Sequence, residues 1–108
     1  MANEYRTHNC GELRMENVGN TVKLAGWIQR IRNLGGMTFI DLRDQYGITQ
    51  VVLSTDELKQ MAADELCTEC VISVEGNVVE RYSKNPKMAT GDIEINAEKI
   101  TVLGTCKK

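Results

Sequence analysis

Five short runs of alternating apolar and polar residues, one intervening stretch with helical spacing, and the length of a single domain predict an all-β protein, a small closed Greek-key barrel. The 108 residues are enough for one ordinary domain and leave no room for two. Valine, isoleucine and threonine cluster in the runs, as expected of strands, and turn signals separate them.

The first run is Thr21 to Arg32, ended by Gly35-Gly36. Gly26 lies inside it, and a glycine within a strand often marks the sharp bend that a strand serving both ends of a barrel requires. The second run, Met37 to Asp44, is closed by Tyr46-Gly47, and the third is Thr49 to Leu53. Alternation then stops. After a capping cluster of Ser54, Thr55 and Asp56, the residues Leu58, Met61, Ala62 and Leu66 recur at helical spacing, which predicts a helix over Asp56 to Leu66. The fourth run, Cys70 to Arg81, leads into a polar loop holding the only proline, Pro86, and the fifth is Asp92 to Leu103. Five strands with one short helix between strands 3 and 4 is the order of the OB fold, a barrel whose closure removes open strand edges. The open face of that fold is a common oligonucleotide site, although fold alone does not fix function.

Thirteen basic against 15 acidic residues give a formal charge of -2, so there is no bulk electrostatic reason to bind nucleic acid or an acidic membrane. Any such binding must come from local arrangement. No apolar run approaches the roughly 18 to 20 residues of a membrane span. The opening residues, MANEYRTHNCGELR, have neither the apolar core of a secretion signal nor the character of a transit peptide, so a cytoplasmic protein is expected. Cys10, Cys67, Cys70 and Cys106 accordingly read as free thiols. Cys67 and Cys70 form a CxxC, but a structural zinc site needs four close ligands, usually from two such knuckles, and His8, Cys10 and Cys106 supply no second one. Cys70 also opens an apolar strand, where a thiol behaves as a small hydrophobe.

Period-two alternation assigns residues to faces. Thr38, Ile40 and Leu42 form the core set of the second strand, which leaves Met37, Phe39, Asp41 and Arg43 outside. Phe39, the only phenylalanine, is thereby placed among polar neighbours. It either covers the end of the barrel or packs under a loop, or it offers a stacking platform to an unpaired base, a contact of roughly 1–3 kcal/mol. Gln50 faces away from Val51 and Leu53. Ser73, Glu75, Asn77 and Arg81 point outward in the fourth strand, and Asp92, Glu94 and Asn96 in the fifth. Arg30 and Arg32 end the first strand beyond its bend, where alternation does not fix their side. Outward charges are commonly a solvated face, yet Arg, Gln and Glu are also the side chains that read base edges by paired hydrogen bonds.

Charge is segregated as well. Residues 56–80 carry seven acids and one base, residues 23–43 four bases and one acid, and residues 81–91 add Arg81, Lys84 and Lys87 before any acid. An acidic protein can still present a basic stripe to phosphates. Catalytic constellations are missing: His8 has no nucleophile at a recognisable spacing, and Gly35-Gly36 lacks the lysine of a phosphate loop. Asp41 and Asp44, three apart on a strand, point to opposite faces and cannot act as an acid/base pair.

Tyr5-Arg6-Thr7-His8 with Cys10-Gly11-Glu12-Leu13-Arg14, then Gly26-Trp27-Ile28-Gln29-Arg30-Ile31-Arg32, closely resemble the start of the bacterial-type aspartyl-tRNA synthetase family. Phe39-Ile40-Asp41-Leu42-Arg43-Asp44, Gly47-Ile48-Thr49-Gln50-Val51-Val52 and Ala89-Thr90-Gly91-Asp92-Ile93-Glu94-Ile95 resemble it too, in order and spacing, from about residue 5 to residue 103. The asparaginyl- and lysyl-tRNA synthetases share the domain type but match less well. The resemblance implies an N-terminal anticodon-binding domain of an enzyme whose absent class II catalytic domain uses ATP and magnesium to attach aspartate to its tRNA, with a homodimer built mainly by that domain. It implies that Phe39 stacks on the central uridine of the anticodon. Arg32, Gln50, Arg81 and Glu94 match positions that hold anticodon bases or adjacent backbone, and Asn85 belongs to the same loop. Where the family often has three arginines and an aspartate, this chain has Arg30-Ile31-Arg32-Asn33, so fewer phosphate contacts are expected there. Leu34 resembles members specific for the aspartate tRNA. The competing expectation is a free-standing OB domain that binds single strands of any sequence.

Overall fold

The computed structural model describes residues 8, 10–34, 36–66, 68–81 and 91–104. Strands β1 (Thr21–Leu34), β2 (Met37–Asp44) and β3 (Gly47–Leu53) are followed by helix α1 (Asp56–Glu65), then β4 (Val71–Glu80) and β5 (Ile93–Gly104). They close in the order β1-β2-β3-β5-β4, with β4 returning to β1. All pairings are antiparallel except β3 with β5, the parallel step of the Greek key. The fold read from the sequence is the fold observed, and β2 has the same first and last residues in both.

Alternation builds the core. Val22, Leu24, Ile28, Ile40, Leu42, Val51, Ile72, Val74, Val78, Ile93 and Ile95 fill the barrel and are all at most 1% exposed. Thr55 caps α1 by accepting the Leu58 N–H at 3.2 Å, and Leu58 and Leu66 close the barrel end. The side chains of Met61 and Ala62 lie outside the described set. Cys10 and Cys70 are buried free thiols in the same core, whereas Cys67 and Cys106 lie outside the described residues.

Strand β1 pairs with β4 through Trp27 and with β2 from Trp27 onward, so one strand serves two neighbours. Gly26 sits at the handover. A Cβ there would lie 2.3 Å from the Arg43 carbonyl oxygen, so only glycine lets the two backbones approach this closely. The change of side falls three residues later, at Gln29, where the register with β2 steps from Ile28↔Leu42 to Arg30↔Asp41. One extra residue in a bulge exchanges the faces of everything beyond it. Before the bulge the even positions Val22, Leu24 and Ile28 are buried; after it Ile31 takes the inner side opposite Ile40, and Arg30 and Arg32 turn outward.

Asp44, 7% exposed, ties the segment before β1 to the β2–β3 turn. Its Oδ2 accepts the Cys10 N–H at 2.8 Å, while Oδ1 accepts the N–H groups of Tyr46 at 2.8 Å and Gly47 at 3.1 Å. Thr49 Oγ1 donates to the Cys10 carbonyl at 2.6 Å. Asp41, by contrast, lies on the outer wall, so the two carboxylates do face opposite ways.

Candidate nucleic-acid interface

The register lays out the outer wall as two cross-strand rows. One runs Arg32, Phe39, Val52, Asn96; the other runs Arg30, Asp41, Gln50 and then Glu94, the outward residue before Ile95 on β5. Arg81 follows β4, and its N–H donates to the Asp92 carbonyl at 2.9 Å, which sets it beside the start of β5. Arg30, Arg32, Phe39, Gln50, Glu94 and Arg81 are thus brought to one side of the barrel by the pairing of four strands and the end of a fifth. Asn85, with Lys84 and Lys87, lies outside the described residues, and so does the side chain of Leu34.

Hydrogen bonds join most of this set. Arg32 Nη2 donates to Gln50 Oε1 at 2.8 Å and to Asp41 Oδ1 at 3.1 Å, and Gln50 Nε2 donates to Glu94 Oε1 at 2.8 Å. The Arg32 guanidinium carbon lies 5.8 Å from the centroid of the Phe39 ring, within reach of a cation–π contact. Phe39 is half-buried and faces out from β2, on the side where alternation placed it.

Two outward-facing residues, Gln50 on the wall and Ser73 on the β1–β4 side, are more buried than alternation implies. Gln50 faces outward yet is only 5% exposed, and Ser73, also expected outside, is 6% exposed. Arg32 and Glu94 bond the Gln50 amide from either side, which accounts for its burial. Asp41, read as outward but not counted among the site residues, proves to be an ion-pair partner of Arg32. The signal for it was its parity with Phe39 on β2, two positions apart.

The wall holds donors in reserve. Arg32 Nε and Arg81 Nε and Nη1 are buried without a hydrogen-bond partner among the described residues. Unpaired buried donors are costly unless a ligand supplies acceptors, and base edges and phosphates are acceptors in this geometry. Arg30 is exposed beside Asp41 in the register. Glu94 uses Oε1 for Gln50, and an ionised carboxylate can only accept, so its remaining capacity suits the amino groups of guanine or cytosine. Among the described residues no three His, Cys, Asp or Glu side chains gather as a metal site would need. No helix among the described residues is long and apolar enough to cross a membrane.

Residues 22–103 match the tRNA anti-codon family, described as an OB-fold nucleic acid binding domain. The chain is 48% identical to an aspartate–tRNA ligase of Amoebophilus asiaticus over 109 residues, which covers 94% of this chain and 18% of that protein. It is 53% identical over 100 residues to an aspartate–tRNA(Asp/Asn) ligase of Thermotoga neapolitana, covering 91% of this chain and 17% of that one. Among solved structures, asparaginyl-tRNA synthetase from Pyrococcus horikoshii complexed with asparaginyl-adenylate superposes with a TM-score of 0.77 at 29% identity, over 93% of this chain and 23% of that one. The chain therefore spans about a sixth of the length of the curated relatives it matches.

Proposed function

The chain belongs to the OB-fold nucleic acid binding domain family, and from that membership we propose that it is the anticodon-reading domain of an aspartate–tRNA ligase. Its ligand in this reading is the anticodon loop of the aspartate tRNA, laid across the outer wall of β1, β2, β3 and β5. Support comes from the relatives' identity of about one half along nearly the whole chain. The observation that carries the reading is the line Arg32–Gln50–Glu94 beside a half-open Phe39, four side chains from four strands on one patch.

Single-stranded RNA loops are read by splaying bases out, stacking them on aromatic rings and bonding their edges. Here Phe39 takes the face of the central base, Glu94 accepts from a base amino group, and Arg32 and Gln50 supply donors at the adjacent edge. Arg30 and Arg81, with Asn85, hold the neighbouring backbone. The longer protein would attach aspartate to this tRNA, with ATP and magnesium held by its catalytic part, as a homodimer in the cytoplasm. In this division the wall supplies selectivity and the chemistry lies elsewhere in the enzyme.

A titration of the 108-residue chain with hairpins tests the reading. The aspartate anticodon hairpin should bind more tightly than hairpins with one anticodon base changed, each such change costing about 1–3 kcal/mol. Equal affinity for every loop of the same length would instead identify a general single-strand binder, and preference for the asparagine anticodon would move the chain to the sister synthetase.

A further inference from the structure

Asp41 is out of place on a wall meant for RNA. Its side chain is 20% exposed, close to where a polyanion is expected to lie, and a carboxylate there repels phosphate. A face selected for affinity alone would carry an amide or a lysine at this position. What Asp41 does instead is accept from Arg32 Nη2 at 3.1 Å, the same nitrogen that donates to Gln50 Oε1 at 2.8 Å.

The two ends of the line fix its middle. Arginine has only donors and an ionised carboxylate only acceptors. Arg32 therefore obliges Gln50 to turn its oxygen toward β1, and Glu94 obliges it to turn its nitrogen toward β5. Flipping the amide would set donor against donor and acceptor against acceptor. Gln50 can show a nucleotide only one pattern as long as Arg32 stays where it is. The Phe39 ring lies 5.8 Å from the Arg32 guanidinium carbon, and Asp41 anchors that group from the adjacent position of the other row. Released from Asp41, the long Arg32 side chain is free to follow a phosphate, a contact that carries no sequence information.

We propose that Asp41 is a positioning residue for base reading: its carboxylate clamps the Arg32 guanidinium, which locks the Gln50 amide in one orientation against Glu94. This rests on the wall being the RNA-reading surface. Asp41 lowers affinity for RNA in general and raises the preference for one loop sequence over others.

Asp41→Asn is nearly isosteric; it removes the charge and replaces one acceptor oxygen by an amino donor facing the guanidinium. The chain and this variant are titrated with the aspartate anticodon hairpin and with hairpins changed at one anticodon base, at two salt concentrations. The parent should prefer its own loop by roughly 5- to 150-fold at a position read by a paired contact. In Asp41→Asn mismatched loops should bind as tightly as before or more tightly, and the preference should collapse toward unity. An unchanged preference overturns the proposal, and so does uniform weakening with the preference kept, since that is what a merely structural role produces. If circular dichroism shows that Asp41→Asn does not fold, Asp41→Glu decides: it keeps the charge but shifts the carboxylate by one methylene, and an undiminished preference in it also overturns the proposal. Phe39→Ala is run alongside. Unchanged binding in that variant means that the wall itself is not the RNA surface; weakened binding there, with selectivity intact in Asp41→Asn, means that only the clamp is wrong.

Discussion

Replacing Phe39 by alanine removes the stacking surface of the wall and little else. The ring lies on the outer side of β2, is absent from the buried core, and has Val52 as its cross-strand neighbour. A fully buried phenylalanine truncated to alanine costs about 3–5 kcal/mol of stability, and a half-buried outer ring should cost well under that. The barrel therefore survives, as a thermal melt can verify. The cation–π contact with Arg32 is also lost, an exposed-site term of about 0.5–1 kcal/mol. Loss of base stacking should weaken binding of the anticodon hairpin by roughly 1–3 kcal/mol, about 5- to 150-fold in the dissociation constant. The assay is fluorescence anisotropy of a labelled hairpin at several salt concentrations. Stacking releases no counterions, so the loss should be the same at every concentration and the slope of log affinity against log salt should not change. Phe39→Tyr should bind like the parent. A changed slope, or full affinity in Phe39→Ala, would refute the stacking role.

Glu94→Gln should compress the differences among single-base anticodon variants by about 1–3 kcal/mol while leaving mean affinity near the parent value, read from the same hairpin panel; uniform weakening would show that Glu94 does not read a base. Arg81→Gln should lower the magnitude of the salt slope by about 0.7, the increment of one phosphate contact to a single strand, because two of its buried nitrogens have no acceptor among the described residues. An unaltered slope would exclude phosphate as that acceptor. Asp44→Ala should destabilise the fold by about 2–4 kcal/mol in urea unfolding, since three backbone N–H groups lose a charged acceptor, while the order of preference among hairpins is kept.

Much of this was legible before the fold was seen, for a plain physical reason. Each strand buries one face, so alternation of two gave the strand set, the core set and the outward position of Phe39, Gln50 and Glu94. The helix declared itself through Thr55 and the spacing of Leu58 and Leu66. What alternation cannot show is an insertion in the ladder. The bulge at Gln29 carries no glycine, and the glycine that is present, Gly26, serves a close backbone approach instead of the exchange of faces. The side taken by Arg30 and Arg32 therefore had to come from the pairing itself. Nor does a face assignment say what covers a residue. Gln50 is outward and buried at once because Arg32 and Glu94 reach over it from neighbouring strands, and a one-dimensional pattern holds no such information. Parity with Phe39 put Asp41 on the outer face, but its partner Arg32 became visible only when β1 was set opposite β2.

Chemical-shift mapping by nuclear magnetic resonance would locate the ligand without any substitution. The 15N-labelled chain is titrated with the aspartate anticodon hairpin and each backbone amide is followed. Amides of Arg32, Phe39, Gln50, Val52 and Glu94 should shift together and saturate at one equivalent, while Val22, Lys23 and Glu75 on the β1–β4 side stay near their starting positions. Shifts centred on the β1–β4 side, with Phe39 and Gln50 unmoved, would contradict a reading surface built on β1, β2, β3 and β5.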